Sequence, residues 1–207
     1  MEEYLQSDYC VNYDHPLIQN FIKDNNIMQL SPVERAVKLF YIVRDDIAYN
    51  MYAAFERDGH AYQASTILKK ANGWCLQKAI LLCALARAAE IPTRFVMVTM
   101  KNHKAQEEVF KTLGTNIFTP HTFNEFYLNG KWVKADATFD KNLCQKAGDP
   151  AVEFDGVNDA LLPPYDLNGN RLIEYIEYLG TYSSIPWQLV IDKSREVYGD
   201  YLKKQQA

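Results

Sequence analysis

From Cys75 to Ala89 the chain is apolar at every position except Gln77, Lys78 and Arg87. At helical spacing such a run is apolar around most of its circumference. A helix of that kind belongs in the interior, so the rest of the chain must wrap around it. The run starts directly after Gly73-Trp74, and Ile91-Pro92 ends it. Its first residue, Cys75, sits where unpaired backbone N–H groups and the positive end of the helix dipole converge, which favours the thiolate. The thiolate is the nucleophilic form of cysteine. A cysteine on an apolar helix is nonetheless more often a small buried hydrophobe, so the reading of Cys75 depends on what the chain supplies elsewhere.

Upstream, Asp14-His15-Pro16 followed by Leu17, Ile18, Phe21 and Ile22 reads as the start of a helix with an apolar stripe. Ser31-Pro32-Val33-Glu34 combines an N-cap serine, proline at the first helical position and a capping-box glutamate. The helix it opens carries Ala36, Val37, Phe40, Tyr41 and Val43 and should end near Arg44-Asp45-Asp46. A short segment, Ile47 to Asn50, follows. Ser65 is expected to cap a brief helix over Thr66 to Lys70, stopped by Asn72-Gly73.

Beyond the apolar run, Thr93 to Met100 reads as a central strand, because both its faces are apolar. Lys101 to Pro120 is a polar excursion with a short helix from Gln106 to Leu113, closed by Gly114; surface decoration and a lid are equally compatible with it. His121 to Leu128 and Lys131 to Thr138 flank Asn129-Gly130, a strong hairpin signal. A two-residue loop there pairs Leu128 with Lys131, hence Phe123 with Asp136 and His121 with Thr138. Alternation then puts His121, Phe123, Glu125 and Tyr127 on one face with Trp132, Lys134, Asp136 and Thr138. His121 and Asp136 become diagonal neighbours about 7 Å or less apart at Cβ, unless a bulge intervenes. The same register sets Glu125 opposite Lys134 as a salt pair. After the hairpin the chain is loop-rich, with turns at Asp155-Gly156 and Asn168-Gly169, and then two helices, the last from about Pro186 to Leu202.

A cysteine at a helix start and a histidine oriented by an aspartate are the parts of a Cys-His-Asp triad. The histidine accepts the thiol proton, and the aspartate selects its tautomer and stabilises the imidazolium. Other candidates are weaker. Cys83 reads as core, and Cys10 and Cys144 as incidental. No Cys-x-x-Cys or His-x-x-x-His pair suggests zinc. Asp166 to Asn170 has a superficial likeness to a calcium loop but lacks the closing glutamate, so a turn is expected. Lys69-Lys70 and Lys203-Lys204 read as helix-end charges.

Composition narrows the classes. A net charge of −4 gives no electrostatic case for nucleic acid or an anionic membrane. No apolar run approaches the roughly 20 residues that cross a bilayer. The first eight residues are acidic and lack an apolar core, unlike a signal peptide. Four scattered cysteines do not make a disulfide framework, so a reduced, cytoplasmic chain is expected. Without repeats, low-complexity tracts or a linker, residues 1–207 read as one domain with its core at about 40–140.

Three blocks together resemble the transglutaminase-like superfamily, of papain-like fold: Gly73-Trp74-Cys75 with Leu81 to Val96, His121 to Phe126, and Trp132 to Thr138. Weaker agreement extends through Ile47-Ala48-Tyr49 and Ala64 to Leu68. The resemblance implies an α+β fold in which a central Cys-bearing helix packs on an antiparallel sheet, with extra helices at both termini. It implies Cys75 as nucleophile, His121 as general base and Asp136 as orienting acid, with a peptide or protein as substrate and no cofactor or metal. The Cys75 backbone N–H would be one oxyanion donor, and Tyr49 and Gln63 are both candidates for the other. The family usually has glycine where this chain has Glu90. If that position is left-handed, a side chain there costs about 1 kcal/mol and the turn is expected to be rebuilt.

The expected function is thiol-dependent acyl transfer or amide hydrolysis through a thioester, leaning to a peptidase or amidase. A protein-glutamine transglutaminase and a non-catalytic interaction module that keeps the fold are the alternatives. An arylamine acetyltransferase is weaker, since its arginine-glycine-glycine approach to the cysteine is absent. Oligomeric state is open.

Overall fold

The apolar run is helix α4 (Cys75–Ala88) of a computed structural model that describes residues 1–55, 58–105 and 107–204, and every residue from Cys75 to Arg87 is buried. Leu76, Ile80, Leu81 and Leu82 are wholly enclosed; truncating such a leucine to alanine costs about 2–5 kcal/mol. The three polar residues of the run each hold a different piece of chain. Gln77 Nε2 donates to Ala61 O (2.9 Å), and Lys78 Nζ to Arg44 O (3.0 Å) and Ile47 O (2.7 Å). The Arg87 guanidinium donates to Gln6 O, Thr93 O and Ser183 O. Buried cations are tolerated only when their protons find acceptors, and here the acceptors are backbone carbonyls of the surrounding elements.

Around α4 the N-terminal elements form as their caps dictate. In α1 (Pro16–Asp24) the His15 ring accepts the Leu17 N–H (3.1 Å), and Ile18 and Ile22 are buried. In α2 (Pro32–Asp46) the Ser31 N–H donates to the Glu34 carboxylate (2.9 Å), which completes the capping box. Strand β1 (Ala48–Tyr49) pairs in parallel with β2 (Asn72–Gly73). Helix α3 (Ala64–Lys70) departs from expectation, because Ser65 lies inside it and not at its cap. The Ser65 N–H and hydroxyl are engaged by the Asn12 side chain (3.1 and 2.8 Å), a contact 53 residues distant that no local rule reveals. The helix stops at Ala71 (φ 53°), which leaves Asn72-Gly73 free to act as a strand.

The main sheet is antiparallel, in the order β5-β4-β3-β6. Strand β3 (Thr93–Asn102) is interior, as its apolar faces require. Strands β4 (Ile117–Leu128) and β5 (Lys131–Ala135) form the hairpin in the expected register, from Leu128–Lys131 to Asn124–Ala135. Helix α4 lies on one face, where Asn124 Nδ2 donates to Ala79 O (3.2 Å). On the other, Val96, Val98 and Phe123 are covered by Leu161 and Tyr175.

Several boundaries are corrected. Strand β4 begins at Ile117, four residues before His121, because Ile117 and Phe118 pair with Lys101 and Met100; the excursion is correspondingly shorter. It holds α5 (Glu107–Leu113), while the expected first residue, Gln106, lies outside the described residues. The loop-rich stretch contains α6 (Lys141–Ala147), capped by Asp140 (to Leu143 N–H, 2.8 Å) and closed by Gly148 at φ 70°. The first of the two expected C-terminal helices is strand β6 (Ile173–Tyr182), and only α7 (Trp187–Lys204) is helical. Ile173, Ile176 and Leu179 have helical spacing, but the free edge of β3 recruits the segment as a strand, and its aromatic and β-branched residues suit that edge.

At the end of α4 the left-handed turn is kept and not rebuilt. Glu90 adopts φ 63°, its N–H donates to Arg87 O (3.0 Å), and the Ile91 N–H donates to Ala86 O (2.9 Å). This is a Schellman closure with glutamate in the position that favours glycine. No helix among the described residues is long and apolar enough to cross a membrane.

Candidate active site

Gly73 ends β2, Trp74 is the N-cap of α4, and Cys75 is its first residue. The Trp74 N–H is taken by Gln77 Oε1 (3.3 Å), which fixes the entry of the chain into the helix. The thiol of Cys75 therefore stands at the open end of the helix, beside the positive pole of its dipole.

The hairpin supplies the second and third groups. His121 Nε2 lies 2.6 Å from Asp136 Oδ2. The two side chains are enclosed, at 1% and 0% exposure, and Cys75 is buried as well, at 7%. The pairing stops at Ala135. The expected Phe123–Asp136 and His121–Thr138 pairs do not form: the Asp136 N–H donates to Ala160 O (2.9 Å), and Asp136 Oδ1 accepts the Thr138 N–H (3.1 Å). The aspartate leaves the ladder yet still reaches the histidine. A register irregularity does occur near the site, in the other ladder. Val98 pairs with His121 and Met100 with Phe118, so Thr119 and Pro120 together oppose Thr99. Bulges of this sort re-aim the neighbouring side chain.

The Cys75 side chain also acts on the His121 ring. Burial alone would lower the imidazole pKa, but the adjoining Asp136 carboxylate outweighs it, with Cys75 adding to the effect, and the result is a raised value. Since Nε2 faces Asp136, Nδ1 is the nitrogen left for the thiol. Cys83 is the core residue expected, and Cys10 and Cys144, read as incidental, are buried too: burial raises the thiols of Cys83 and Cys10 to about 12 and that of Cys144 to about 11.

Of the two oxyanion candidates, Tyr49 lies near the cysteine. Burial first, and then the Cys75 thiol, hold its phenol in the neutral form, and its ring meets Phe139 edge-on at 4.9 Å. The Gln63 carboxamide oxygen stands 3.4 Å from His60 Nδ1. The expected Glu125–Lys134 salt pair is not formed, although the two residues are directly opposed. Arg94 on β3 also faces Glu125 and takes it at 2.6 Å, and Lys134 turns to Asp159 (3.3 Å).

Two tyrosines that the sequence reading passed over belong to the site. Tyr175 on β6 donates from its hydroxyl to Asp136 Oδ2 (3.4 Å), accepts the Leu162 N–H (3.2 Å), and packs its ring 6.4 Å from that of His121. Tyr198 on α7 accepts the Thr119 N–H (2.8 Å) and donates to Ile117 O (3.2 Å), tying the C-terminal helix to the strand that carries His121. Neither is near the triad in sequence, and Tyr175 was hidden by the reading of β6 as a helix. The Asp166 loop is a turn, in which Oδ1 accepts the Asn168 and Asn170 N–H groups and Oδ2 pairs with Lys104 Nζ at 3.1 Å.

The model of the Transglutaminase-like superfamily matches residues 23–137, more than half of the chain. That span contains Cys75, His121 and Asp136. No curated protein matches the sequence. Among solved structures, the chain is similar to a "Putative Cysteine Protease from Cytophaga hutchinsonii", at 15% identity and a TM-score of 0.49, over 86% of this chain and 53% of that one. The chain thus spans about half the length of that structure.

Proposed function

The chain belongs to the transglutaminase-like superfamily, and from that premise we propose that it is a cysteine-dependent enzyme of acyl transfer with Cys75, His121 and Asp136 as its catalytic triad. The observation that carries the reading is the enclosed His121–Asp136 pair at 2.6 Å, with Cys75 at the helix start acting on the same ring. The imidazole is oriented on one side by a carboxylate and presented on the other to a thiol at a helix start, which suits a proton acceptor for that thiol.

In this mechanism the Cys75 thiol proton passes to His121 Nδ1, and the thiolate attacks the carbonyl carbon of an amide. The electron pair of the carbonyl moves to oxygen, and that oxyanion meets the Cys75 backbone N–H, with the Tyr49 phenol as second donor. Collapse of the adduct expels the amine, which takes the proton from His121, and leaves a thioester on Cys75. Water then gives a proton to His121 and attacks the thioester, releasing a carboxylic acid and returning the thiol. Asp136 holds the imidazole in the tautomer that exposes Nδ1. Water as acceptor makes the protein a peptidase or amidase, which we favour; an amine as acceptor makes it a transglutaminase.

The test is alkylation of Cys75 by iodoacetamide as a function of pH, read by mass spectrometry beside the other three cysteines. The expected result is labelling well below the ordinary thiol range, lost in His121→Ala. A Cys75 that labels no faster than Cys10 would overturn the catalytic reading. Peptide cleavage compared with hydroxamate formation on glutamine peptides in hydroxylamine then distinguishes the two acceptors.

A further inference from the structure

Tyr49, whose backbone pairs with Gly73 two residues before Cys75, also forms one wall of a cavity of about 300 Å³. Met51, Met100, Phe118, Leu143 and Leu172 supply much of the remaining lining, drawn from five separate segments of the chain. None of these side chains has a part in the triad. The volume lies at the lower end of the range for ligand pockets.

Several polar side chains on the cavity wall are already engaged. Lys104 Nζ has three protons and three acceptors: Ala147 O (2.8 Å), Asp149 Oδ1 (2.6 Å) and Asp166 Oδ2 (3.1 Å). Asn50 donates to Asn72 Oδ1 (3.1 Å) and accepts the Tyr52 N–H (3.1 Å), and Asn102 Oδ1 accepts the Lys104 N–H (2.9 Å). Burial raises the Cys144 thiol to about 11, so it remains protonated at neutral pH. A charged group entering this space would give up its water and find no free side-chain charge to offset it, because Lys104 is already paired with Asp149 and Asp166, whereas an apolar group covers exposed carbon.

We propose that this cavity is the specificity pocket of the enzyme and receives a bulky apolar side chain, of phenylalanine or leucine size, from the peptide whose amide Cys75 attacks. The proposal rests on the reading of Cys75 as nucleophile and assigns the substrate class. Tyr49 is the shared element: its backbone pairs with the Gly73 that leads into Cys75, and its side chain lines the cavity. Selection then follows from shape and desolvation, with no ionic anchor, and discrimination between phenylalanine and alanine reaches roughly 100-fold.

Binding is tested in a Cys75→Ala protein carrying ¹³C-methyl methionine, so that no turnover is required. The probes are acetyl-Ala-Xaa-Ala-amide peptides with Xaa Phe, Ala or Asp. The Phe peptide is expected to shift the Met51 and Met100 methyl signals and leave Met28 in place, to bind at least tenfold more tightly than the Ala peptide, and the Asp peptide to give no shift. Leu143→Trp, which fills the cavity, should weaken the Phe peptide at least tenfold; Ala147→Phe serves the same purpose if that variant does not fold. Equal shifts with Phe and Asp, no movement of Met51 and Met100, indifference to both variants, or shifts with octanoylglycinamide but not with the Phe peptide would each overturn the proposal. Alkylation of wild-type Cys75 tests the catalytic reading by itself, so failure of the one is distinguishable from failure of the other.

Discussion

Helix α4 carries two cysteines eight residues apart, one at its start and one in its interior, and their surroundings differ sharply. Cys75 opens the helix, keeps a little solvent contact and lies against the His121 ring. Cys83 is wholly enclosed, its sulfur 3.9 Å from Thr93 O, and burial raises its thiol to about 12. The helix dipole contributes to the difference only at the first turn. Most of it comes from what surrounds each thiol: a histidine and a carboxylate near Cys75, a backbone carbonyl of β3 and the helix's own Arg87 guanidinium near Cys83. A thiol becomes a candidate nucleophile through its neighbours, and the same helix shows both outcomes.

Exchanging each sulfur for oxygen breaks the comparison most severely. Cys75→Ser is expected to lower turnover by about 10⁵-fold or more. Cys83→Ser should leave turnover intact while costing about 1–3 kcal/mol of stability for a buried hydroxyl. Parallel assays of amide hydrolysis and urea unfolding check both, and loss of activity in Cys83→Ser alone would reverse the assignment.

The groups behind Cys75 come next. Asp136→Asn should cost about 10⁴-fold in turnover through the wrong imidazole tautomer. Tyr175→Phe removes one long hydrogen bond to the same carboxylate and should cost about tenfold. Together they rank the aspartate above the tyrosine that steadies it; a Tyr175→Phe protein as impaired as Asp136→Asn would show that ranking to be wrong.

The pH dependence sharpens the contrast from the side of stability. His121 has a raised folded-state value, so what its charged form contributes is complete below its ordinary 6.5 and declines as pH rises through the raised value. The stability gap between wild type and His121→Gln should therefore be larger at about pH 6 than at about pH 9, by about 1 kcal/mol or more. Urea midpoints at the two pH values measure it, and a gap that widens on the alkaline side would contradict the raised value.

The smallest effect is at the far end of the helix. Glu90 is left-handed with an exposed side chain and only a 3.7 Å contact to Arg35. Glu90→Gly should raise stability by up to about 1 kcal/mol and leave Cys75 alkylation unchanged. Thermal unfolding shows whether relieving this turn is felt at the other end of α4.

Sequence reasoning succeeded where local physical chemistry decides. The capping box at Ser31, the enclosed α4, the Asn129-Gly130 hairpin and its register are each written in neighbouring residues, because a cap, a period or a two-residue turn is satisfied within a few positions. It was on those terms that His121 and Asp136 could be brought together before any coordinates. It failed where a distant element had the final say. Ser65 was given to Asn12, Glu125 to Arg94, and Ile173–Tyr182 to the open edge of β3.

What the sequence determined by itself was thus the central helix, the identity of its first residue and the hairpin that carries an imidazole and a carboxylate. Only the tertiary structure decided that Asp136 leaves the ladder and still meets His121, that Tyr175 stands behind it, and that Tyr49 lines an apolar cavity. The reason is one of range. Helix and turn preferences act over a few residues, whereas a site and its pocket are made of side chains that lie far apart along the chain and are selected only by packing around the same core.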